Sequence, residues 1–256
     1  MCELLGISVS PAAELGLDFR AFRGRAAHAN NHHGWGVAWY DADGRPVVHK
    51  EAERADESAL AARLAADPPT SSIFLVHVRA ATVGRVALAN SHPFVRGRWT
   101  FAHNGTISMA DELDRGGRAV AGDTDSERAF LHLLHRLDSW TGAVEEGIAA
   151  VAADLSARGR CNFLLSDGTT LYAYYDGHKT LHVLTRRAAD LRTITVADAD
   201  YEVRLAVEDA PEERAVVLAS VPLSDEPWSP LAPGTLLTCR EGAVVARRTV
   251  ASAAAR

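Results

Sequence analysis

The stretch Met1-Cys2-Glu3-Leu4-Leu5-Gly6 begins the chain, and the apolar run Leu4 to Val9 predicts a short β-strand that starts directly at Cys2. Aminopeptidase removal of an initiator methionine requires a small second residue, and cysteine qualifies. Processing would leave Cys2 with a thiol and an α-amine on the same Cα, and such an amine titrates near pH 8. This pair would be a nucleophile with its own base. The alternative is that Cys2 is a chance small residue near a frayed end.

Outward from this strand, turn signals divide the chain into short β-segments. Asp41-Ala42-Asp43-Gly44 and Asp167-Gly168 are typical of tight hairpin turns, and a further turn is expected at Glu241-Gly242. The other predicted strands are Gly34 to Tyr40, Pro46 to Lys50, Ser72 to Arg79, a weak one around Phe94, Trp99 to His103, Asn162 to Ser166, Thr170 to Tyr175, Thr180 to Thr185, Arg192 to Val196, Val203 to Val207, Ala215 to Val221, and a pair flanking Glu241-Gly242.

Three helices interrupt this β pattern. Ser58 to Ala66 and Ala143 to Ala157 have apolar residues at helical spacing, and Thr124-Asp125-Ser126-Glu127 predicts a capping box that starts a helix. Antiparallel strands with consecutive helices inserted mid-chain indicate an α+β fold of packed sheets with helices outside. We expect one domain over residues 1–250 and a frayed tail over residues 251–256.

Composition excludes several functional classes. The 256 residues carry a net charge of −6, which argues against a nucleic-acid-binding protein with a basic face. The longest apolar runs are strand-sized rather than membrane-sized, so no membrane association is expected. Three cysteines are too few and too far apart for a disulfide framework or a Cys-x-x-Cys metal site. We expect a cytoplasmic protein.

Two segments at predicted strand ends carry residues suited to chemistry. In His77-Val78-Arg79-Ala80-Ala81-Thr82, an arginine leaving a buried strand must meet an anion or reach solvent. Arg79 is therefore either an ion-paired or solvent-reaching side chain, or a guanidinium that grips a substrate carboxylate. In His103-Asn104-Gly105, the Asn-Gly pair is either a tight turn or an oxyanion hole made by the Asn104 amide and the Gly105 N–H.

Asp125 completes the set of candidate residues. It is either a favourable acid in the first helical turn or a carboxylate that receives an α-ammonium group. A zwitterionic amino acid needs a cation for its carboxylate and an anion for its ammonium, which Arg79 and Asp125 would supply. A side-chain amide at the far end would then meet the Cys2 thiol and two hydrogen-bond donors. The combination suits hydrolysis of a glutamine amide through a γ-glutamyl thioester.

With these motifs the chain resembles the class II glutamine amidotransferases, which have the N-terminal-nucleophile (Ntn) hydrolase fold. It is most similar to the short stand-alone, YafJ-like bacterial members. Order and spacing agree over the first half of the chain and only loosely afterwards. The matching stretches are Met1 to Gly6, Gly34-Trp35-Gly36, His77 to Thr82, Asn90-Ser91-His92-Pro93-Phe94, His103-Asn104-Gly105 and Asp123-Thr124-Asp125-Ser126-Glu127.

The resemblance implies a four-layer αββα sandwich of two packed antiparallel sheets, no cofactor and no metal. It implies that Cys2 is the nucleophile, with its freed α-amine as base. Asn104 and Gly105 would form the oxyanion hole, and Arg79 and Asp125 would bind the glutamine carboxylate and ammonium. The resemblance also implies that Thr82 and His92 make secondary contacts near the carboxylate. A threonine at the end of a strand and a histidine before a proline are usually structural.

The chain departs from the family pattern in two ways. Many synthase relatives have a bulky aromatic residue after the arginine, where this chain has Ala80, so its substrate could be larger than free glutamine. Nothing after Arg160 resembles an acceptor domain, so a separate enzyme takes the ammonia or water ends the reaction. Three alternatives stay open: a γ-glutamyl hydrolase of a thiol-pathway metabolite, a histidine-based metal hydrolase that lacks recognisable ligand spacing, and a non-catalytic regulatory or binding subunit.

Overall fold

The computed structural model describes residues 2–28, 32–187, 194–198, 201–205 and 213–250, in which two antiparallel sheets of 7 and 6 strands dominate. The strands are β1 (Glu3–Glu14), β2 (Trp35–Tyr40), β3 (Pro46–Glu51), β4 (Thr70–Val78), β5 (Phe94–Arg96), β6 (Trp99–Ile107), β7 (Gly159–Ser166), β8 (Thr170–Tyr175), β9 (His182–Arg187), β10 (Ile194–Asp198), β11 (Tyr201–Leu205), β12 (Arg214–Ala219), β13 (Ser229–Pro230), β14 (Thr235–Arg240) and β15 (Ala243–Thr249). The helices are α1 (Leu17–His28), α2 (Ala59–Ala66), α3 (Asp125–Asp138) and α4 (Val144–Arg158).

The N-terminal strand lies in the middle of the first sheet, whose order is β13-β9-β12-β1-β4-β2-β3. Leu5 of β1 pairs with Val76 of β4 on one side and with Ala219 of β12 on the other. Because both faces of β1 are covered, its sequence is apolar at successive positions rather than alternating. Cys2, immediately before β1, is therefore held between two neighbouring strands.

The second sheet has the order β15-β14-β8-β7-β6-β5, and β10 with β11 forms a separate two-stranded ladder. In the second sheet, β6 and β7 are paired so that Asn104 lies opposite Asn162 and Thr106 opposite Arg160. Successive side chains of a strand point to opposite faces, so Asn104 and Thr106 share one face of β6. The same alternation puts Arg160 and Asn162 on one face of β7.

Three separate apolar clusters show how the layers pack. The cluster beneath α1 and α2 contacts the outer face of the first sheet, the cluster beneath α3 and α4 contacts the outer face of the second, and the third fills the space between the sheets. Representative members are Phe19, Leu64 and Val76 in the first, Phe130, Val151 and Phe163 in the second, and Leu4, Leu75, Leu164 and Leu218 in the third. The expected four-layer αββα sandwich is confirmed.

The predicted elements are present, with corrections at particular residues. β1 runs on to Glu14, beyond the expected Val9, and α1 was not predicted at all. The capping box at Thr124 forms only in half: Thr124 Oγ1 accepts from Glu127 N at 3.2 Å. The Glu127 carboxylate instead accepts from the amides of residues 121 and 122, which fixes the preceding loop rather than the cap.

Parts of the predicted secondary structure fall on residues that the structure does not describe. The predicted tail, 251–256, the start of the strand expected over Arg192 to Val196 and the end of the strand expected over Val203 to Val207 lie outside the described residues. Among the helices that the structure describes, none combines the length and apolar character needed to cross a bilayer.

Candidate active site

The Cys2 thiol lies where β1 begins, against the end of β4. Its Sγ donates to the carbonyl of Ala80 and accepts from the amide of Ala80, each at 3.1 Å. Two hydrogen bonds between Leu4 and Ser220 hold β1 in place beside Cys2: Ser220 Oγ accepts from Leu4 N at 2.9 Å, and Ser220 N donates to Leu4 O at 3.0 Å. These contacts fix the sulfur at the end of the space between the two sheets.

Burial raises the pKa of the Cys2 thiol above its ordinary value, and this outweighs the Ala80 amide and the Lys179 charge, which lower it. A buried thiol is disfavoured as a thiolate because the charged form loses solvation. The group is therefore protonated near neutral pH. To act as a nucleophile it needs a base to accept its proton as the new bond forms.

Asn104 and Gly105 face this thiol from the second sheet. Asn104 Nδ2 donates to the carbonyl oxygen of Cys2 at 2.8 Å and to Ser220 Oγ at 3.4 Å. Both residues lie inside β6 and are paired with β7, so the tight-turn alternative for the Asn-Gly pair is wrong. The strand instead carries the amide side chain across the gap between the sheets.

Gly105 is required by the close approach of two strands. A Cβ at this position would lie 1.9 Å from the carbonyl oxygen of Arg160 and 2.6 Å from His103 Nε2. Contacts under 3.0 Å do not occur for real Cβ atoms, and here the neighbour is backbone that cannot swing away. The Asn-Gly signal in the sequence thus reflects strand contact beside the thiol.

Arg79 is almost fully buried, at 2% exposure, directly after β4. Its guanidinium donates to the carbonyls of Val83 at 2.8 Å, Arg85 at 3.1 Å and Gly84 at 3.3 Å. No carboxylate among the described residues forms an ion pair with Arg79. In this state the guanidinium holds the loop after β4, and it is not one of the residues lining the cavity described below.

Asp125 is the first residue of α3 and is buried. Its Oδ2 accepts from the amide of Ile107 at 2.7 Å, which ties the start of α3 to the end of β6. Asp125 is close enough to Arg79 to raise the pKa of that guanidinium, although burial lowers it more. The two residues predicted to bind the amino-acid head therefore lie near each other.

The two residues expected to make secondary contacts lie in different places. Thr82 lines the cavity that contains Cys2. His92 is packed inside, with its ring centroid 4.3 Å from that of His77 and 4.5 Å from that of Phe94. Burial, with His77 second, lowers the pKa of His92 well below its ordinary value, so the ring is neutral.

A cavity of about 380 Å³ opens at this end of the sandwich, a size typical of small-molecule sites. Loop residues after β4, the inward faces of β6 and β7, and the segment after β8 form its wall. It is lined by Cys2, His33, Ala80, Ala81, Thr82, Asn104, Gly105, Thr106, Arg160, Asn162, His178 and Lys179.

Sequence reasoning missed several of these residues, above all Lys179. Its Nζ donates to the Cys2 carbonyl at 3.1 Å, so this carbonyl accepts from two side chains. His33 supports the loop after β4, because its Nδ1 accepts from Ala81 N at 3.0 Å. One signal pointed to Lys179: it is one of only two lysines among 27 basic residues.

A metal site was among the alternatives, built on the histidines. Over the residues that the structure describes, no three His, Cys, Asp or Glu side chains are arranged to hold a metal ion. The buried rings of His77 and His92 lie against each other, with their centroids 4.3 Å apart and their planes tilted by 36°. This arrangement packs the interior and does not present ligands to one point.

Comparison with known proteins agrees with the fold. The family model described as "Glutamine amidotransferases class-II" matches residues 1–256. The chain therefore belongs to the class II glutamine amidotransferases.

Individual relatives match most of the length of this chain. "Putative glutamine amidotransferase YafJ" of Escherichia coli (strain K12) is 36% identical over 248 residues, covering 91% of this chain and 95% of that protein. The crystal structure of a predicted glutamine amidotransferase from Pseudomonas aeruginosa PA01 superposes with a TM-score of 0.72 at 28% identity, over 96% of this chain and 100% of that one.

A more distant structure confirms the architecture alone. Glutamine phosphoribosylpyrophosphate amidotransferase from B. subtilis matches with a TM-score of 0.66 at 17% identity, over 98% of this chain and 49% of that chain. The present chain thus has the sandwich of such amidotransferases over nearly its full length.

Proposed function

We propose that this protein hydrolyses the side-chain amide of glutamine, or of another γ-glutamyl amide, through a γ-glutamyl thioester on Cys2 after removal of Met1. The observation that carries the proposal is the meeting of the Cys2 thiol and the Asn104 amide at one cavity, from two different sheets. A thiol whose pKa is raised by burial needs a base. The α-amine freed on the same residue would be within reach.

The reaction proceeds in two halves. In the first, Cys2 Sγ bonds to the amide carbon while its proton passes to the α-amine and then to the leaving nitrogen. The C–N bond breaks, and ammonia or an amine departs. In the second, water attacks the thioester and gives a proton back through the α-amine to the sulfur, which releases glutamate.

Asn104 and Gly105 would stabilise the negative oxygen of each tetrahedral intermediate. An amide NH₂ group has two hydrogens, and the one directed at Ser220 Oγ makes the longer contact, 3.4 Å. This weaker hydrogen bond to Ser220 would be replaced by a hydrogen bond to the oxyanion. Removing one such donor typically slows acyl transfer by about a hundredfold or more.

Arg79 and Asp125 would hold the amino-acid head of the substrate. Because the guanidinium of Arg79 contacts the carbonyls of Val83 to Arg85, binding a carboxylate requires those contacts to be exchanged. The loop after β4 would therefore rearrange as the substrate enters. A planar guanidinium can then grip the carboxylate through two parallel hydrogen bonds.

The surroundings of the reaction are part of the proposal. In the proposed reaction the ammonia either passes to a separate enzyme or is released. We place the reaction in the cytoplasm, because a reducing compartment preserves a reactive terminal thiol, and the three cysteines are unpaired. A non-catalytic binding subunit would not need a thiol held against an amide donor.

Replacing Cys2 tests the proposal. Cys2→Ala should abolish glutaminase activity, measured as glutamate release, and labelling by a glutamine-mimicking electrophile, while the denaturation midpoint stays unchanged. The matched control is Cys239→Ala, which removes a buried thiol in the apolar space between the sheets and should keep both activities. Turnover that persists in Cys2→Ala would refute the mechanism.

A further inference from the structure

Two cations line the active-site cavity on the side away from Arg79. They are Arg160, on β7, and Lys179, in the segment between β8 and β9. Arg160 is exposed, and no described carboxylate pairs with its guanidinium. Lys179 is half-buried and bonds to the Cys2 carbonyl, again with no carboxylate partner among the described residues. None of the residues lining the cavity is an aspartate or glutamate.

The sheet topology shows where this pair lies relative to the reacting atoms. Arg79 leaves β4, which neighbours β1 on one side. Lys179 precedes β9, which lies beyond β12 on the other side of β1. Arg160 shares the inward face of β7 with Asn162, one strand beyond Asn104. A substrate whose head is at Arg79 and whose amide is at Cys2 would extend its leaving group toward Arg160 and Lys179.

The charges in this half of the cavity are uncompensated by the lining. Burial lowers the pKa of Lys179, and Arg160 lowers it further, whereas Cys2 and Glu3 raise it. Glu3 is buried at the start of β1 and is not among the residues that line the cavity. A chain with a net charge of −6 has thus placed two like charges together beside its nucleophile. An arginine stays charged at any physiological pH, so an anion is the natural occupant.

We propose that Arg160 and Lys179 receive a carboxylate on the amine portion of the substrate, so that the preferred substrates are γ-glutamyl conjugates of amino acids rather than free glutamine. This inference rests on the proposed function. In such a conjugate the carboxylate lies two bonds beyond the amide nitrogen, which suits a lysine that reaches the Cys2 carbonyl. Ala80, small and lining the same cavity, leaves room for this larger leaving group.

The test compares two substrates that differ in one charge. γ-Glutamylglycine carries the carboxylate, and γ-glutamylglycinamide replaces it with a neutral amide of nearly the same shape. The protein that begins at Cys2 should cleave the acid with a kcat/KM about ten- to a hundredfold higher, the range expected for hydrogen bonds to a charged group. Equal values for the two, with turnover present, would overturn the inference and leave the proposed function standing.

Variants identify the residues responsible for this preference. Arg160→Gln should lower the ratio of the two kcat/KM values severalfold, because only Lys179 then remains to receive the carboxylate, and Arg160→Lys should restore part of it. The matched control is Arg247→Gln, which removes the same charge from an exposed position on β15, at the far edge of the sheet, and should keep the ratio. An unchanged ratio in Arg160→Gln would also overturn the assignment. Absence of turnover on every γ-glutamyl amide would instead refute the proposed function, and this inference with it.

Discussion

Gly105→Ala should disable the site and weaken the fold, because the added methyl group meets backbone. Its Cβ would lie 1.9 Å from Arg160 O, whereas ordinary contact begins at 3.4 Å, so β6 and β7 must separate by about 1.5 Å at this point. Overpacking alone costs about 1–3 kcal/mol, and the upper end is expected where no side chain can move. Misplacement of a catalytic group by about 1 Å can cost a hundredfold in rate. We expect a loss of about 3 kcal/mol and about a hundredfold lower kcat/KM.

Urea denaturation and glutamine hydrolysis measure the two effects on the same preparation. The matched control is Gly16→Ala, whose Cβ would have its nearest neighbour at 3.8 Å and should leave both quantities unchanged. A Gly105→Ala protein as stable and as active as the parent would refute the strand contact and, with it, the placement of Asn104 that depends on β6.

Two further predictions concern charge. Arg79→Lys should raise KM for glutamine at least tenfold, because a point charge cannot form two parallel hydrogen bonds or hold the loop carbonyls together; an unchanged KM would assign Arg79 to structure alone. The second concerns acid stability. The pKa of His77 is lowered to about 3, first by burial and then by Arg79, and that of His92 is lowered as well. Histidines in the unfolded chain take up protons below about pH 6.5 while these two stay neutral, so unfolding is favoured as pH falls. The free energy of unfolding should therefore fall as the pH drops below about 6.5, by about 1.4 kcal/mol per pH unit for each ring that stays neutral, and His92→Phe should make this fall shallower; stability that is flat over this range would contradict the burial of both rings.

The sequence predicted most of the sandwich because its hairpins carry local signals. Asp41 to Gly44 and Asp167-Gly168 connect paired strands, and both mid-chain helices begin within a residue of the expected positions. Helix α1 was missed although Leu15, Phe19 and Phe22 have helical spacing and are buried under the first sheet. Charged and small residues lie between them, so the helical spacing of these apolar residues is hard to recognise in the sequence. The apolar face of the helix becomes evident only from its packing against the first sheet.

The site was predictable in part, for a different reason. Cys2, Asn104 and Thr82 meet at one cavity as the motifs indicated, whereas Arg79 and Asp125 are engaged with the backbone beside it. Lys179 was not predictable from spacing, because 177 residues separate it from the Cys2 carbonyl that it contacts. Its approach depends on how β9 and β12 are placed next to β1, which is a property of the folded sheet.

The role of the free terminus can be measured on two proteins that differ by one residue. One begins at Cys2, and the other carries a single glycine before Cys2, both released from the same cleavable fusion. The glycine keeps the thiol, the cavity and the charge of an amine, but it converts the Cys2 nitrogen into an amide that cannot accept a proton. A general base typically contributes about 10²–10⁴ in rate. The Cys2-first protein should hydrolyse glutamine at least a hundredfold faster; equal activity of the two forms would show that the base is elsewhere.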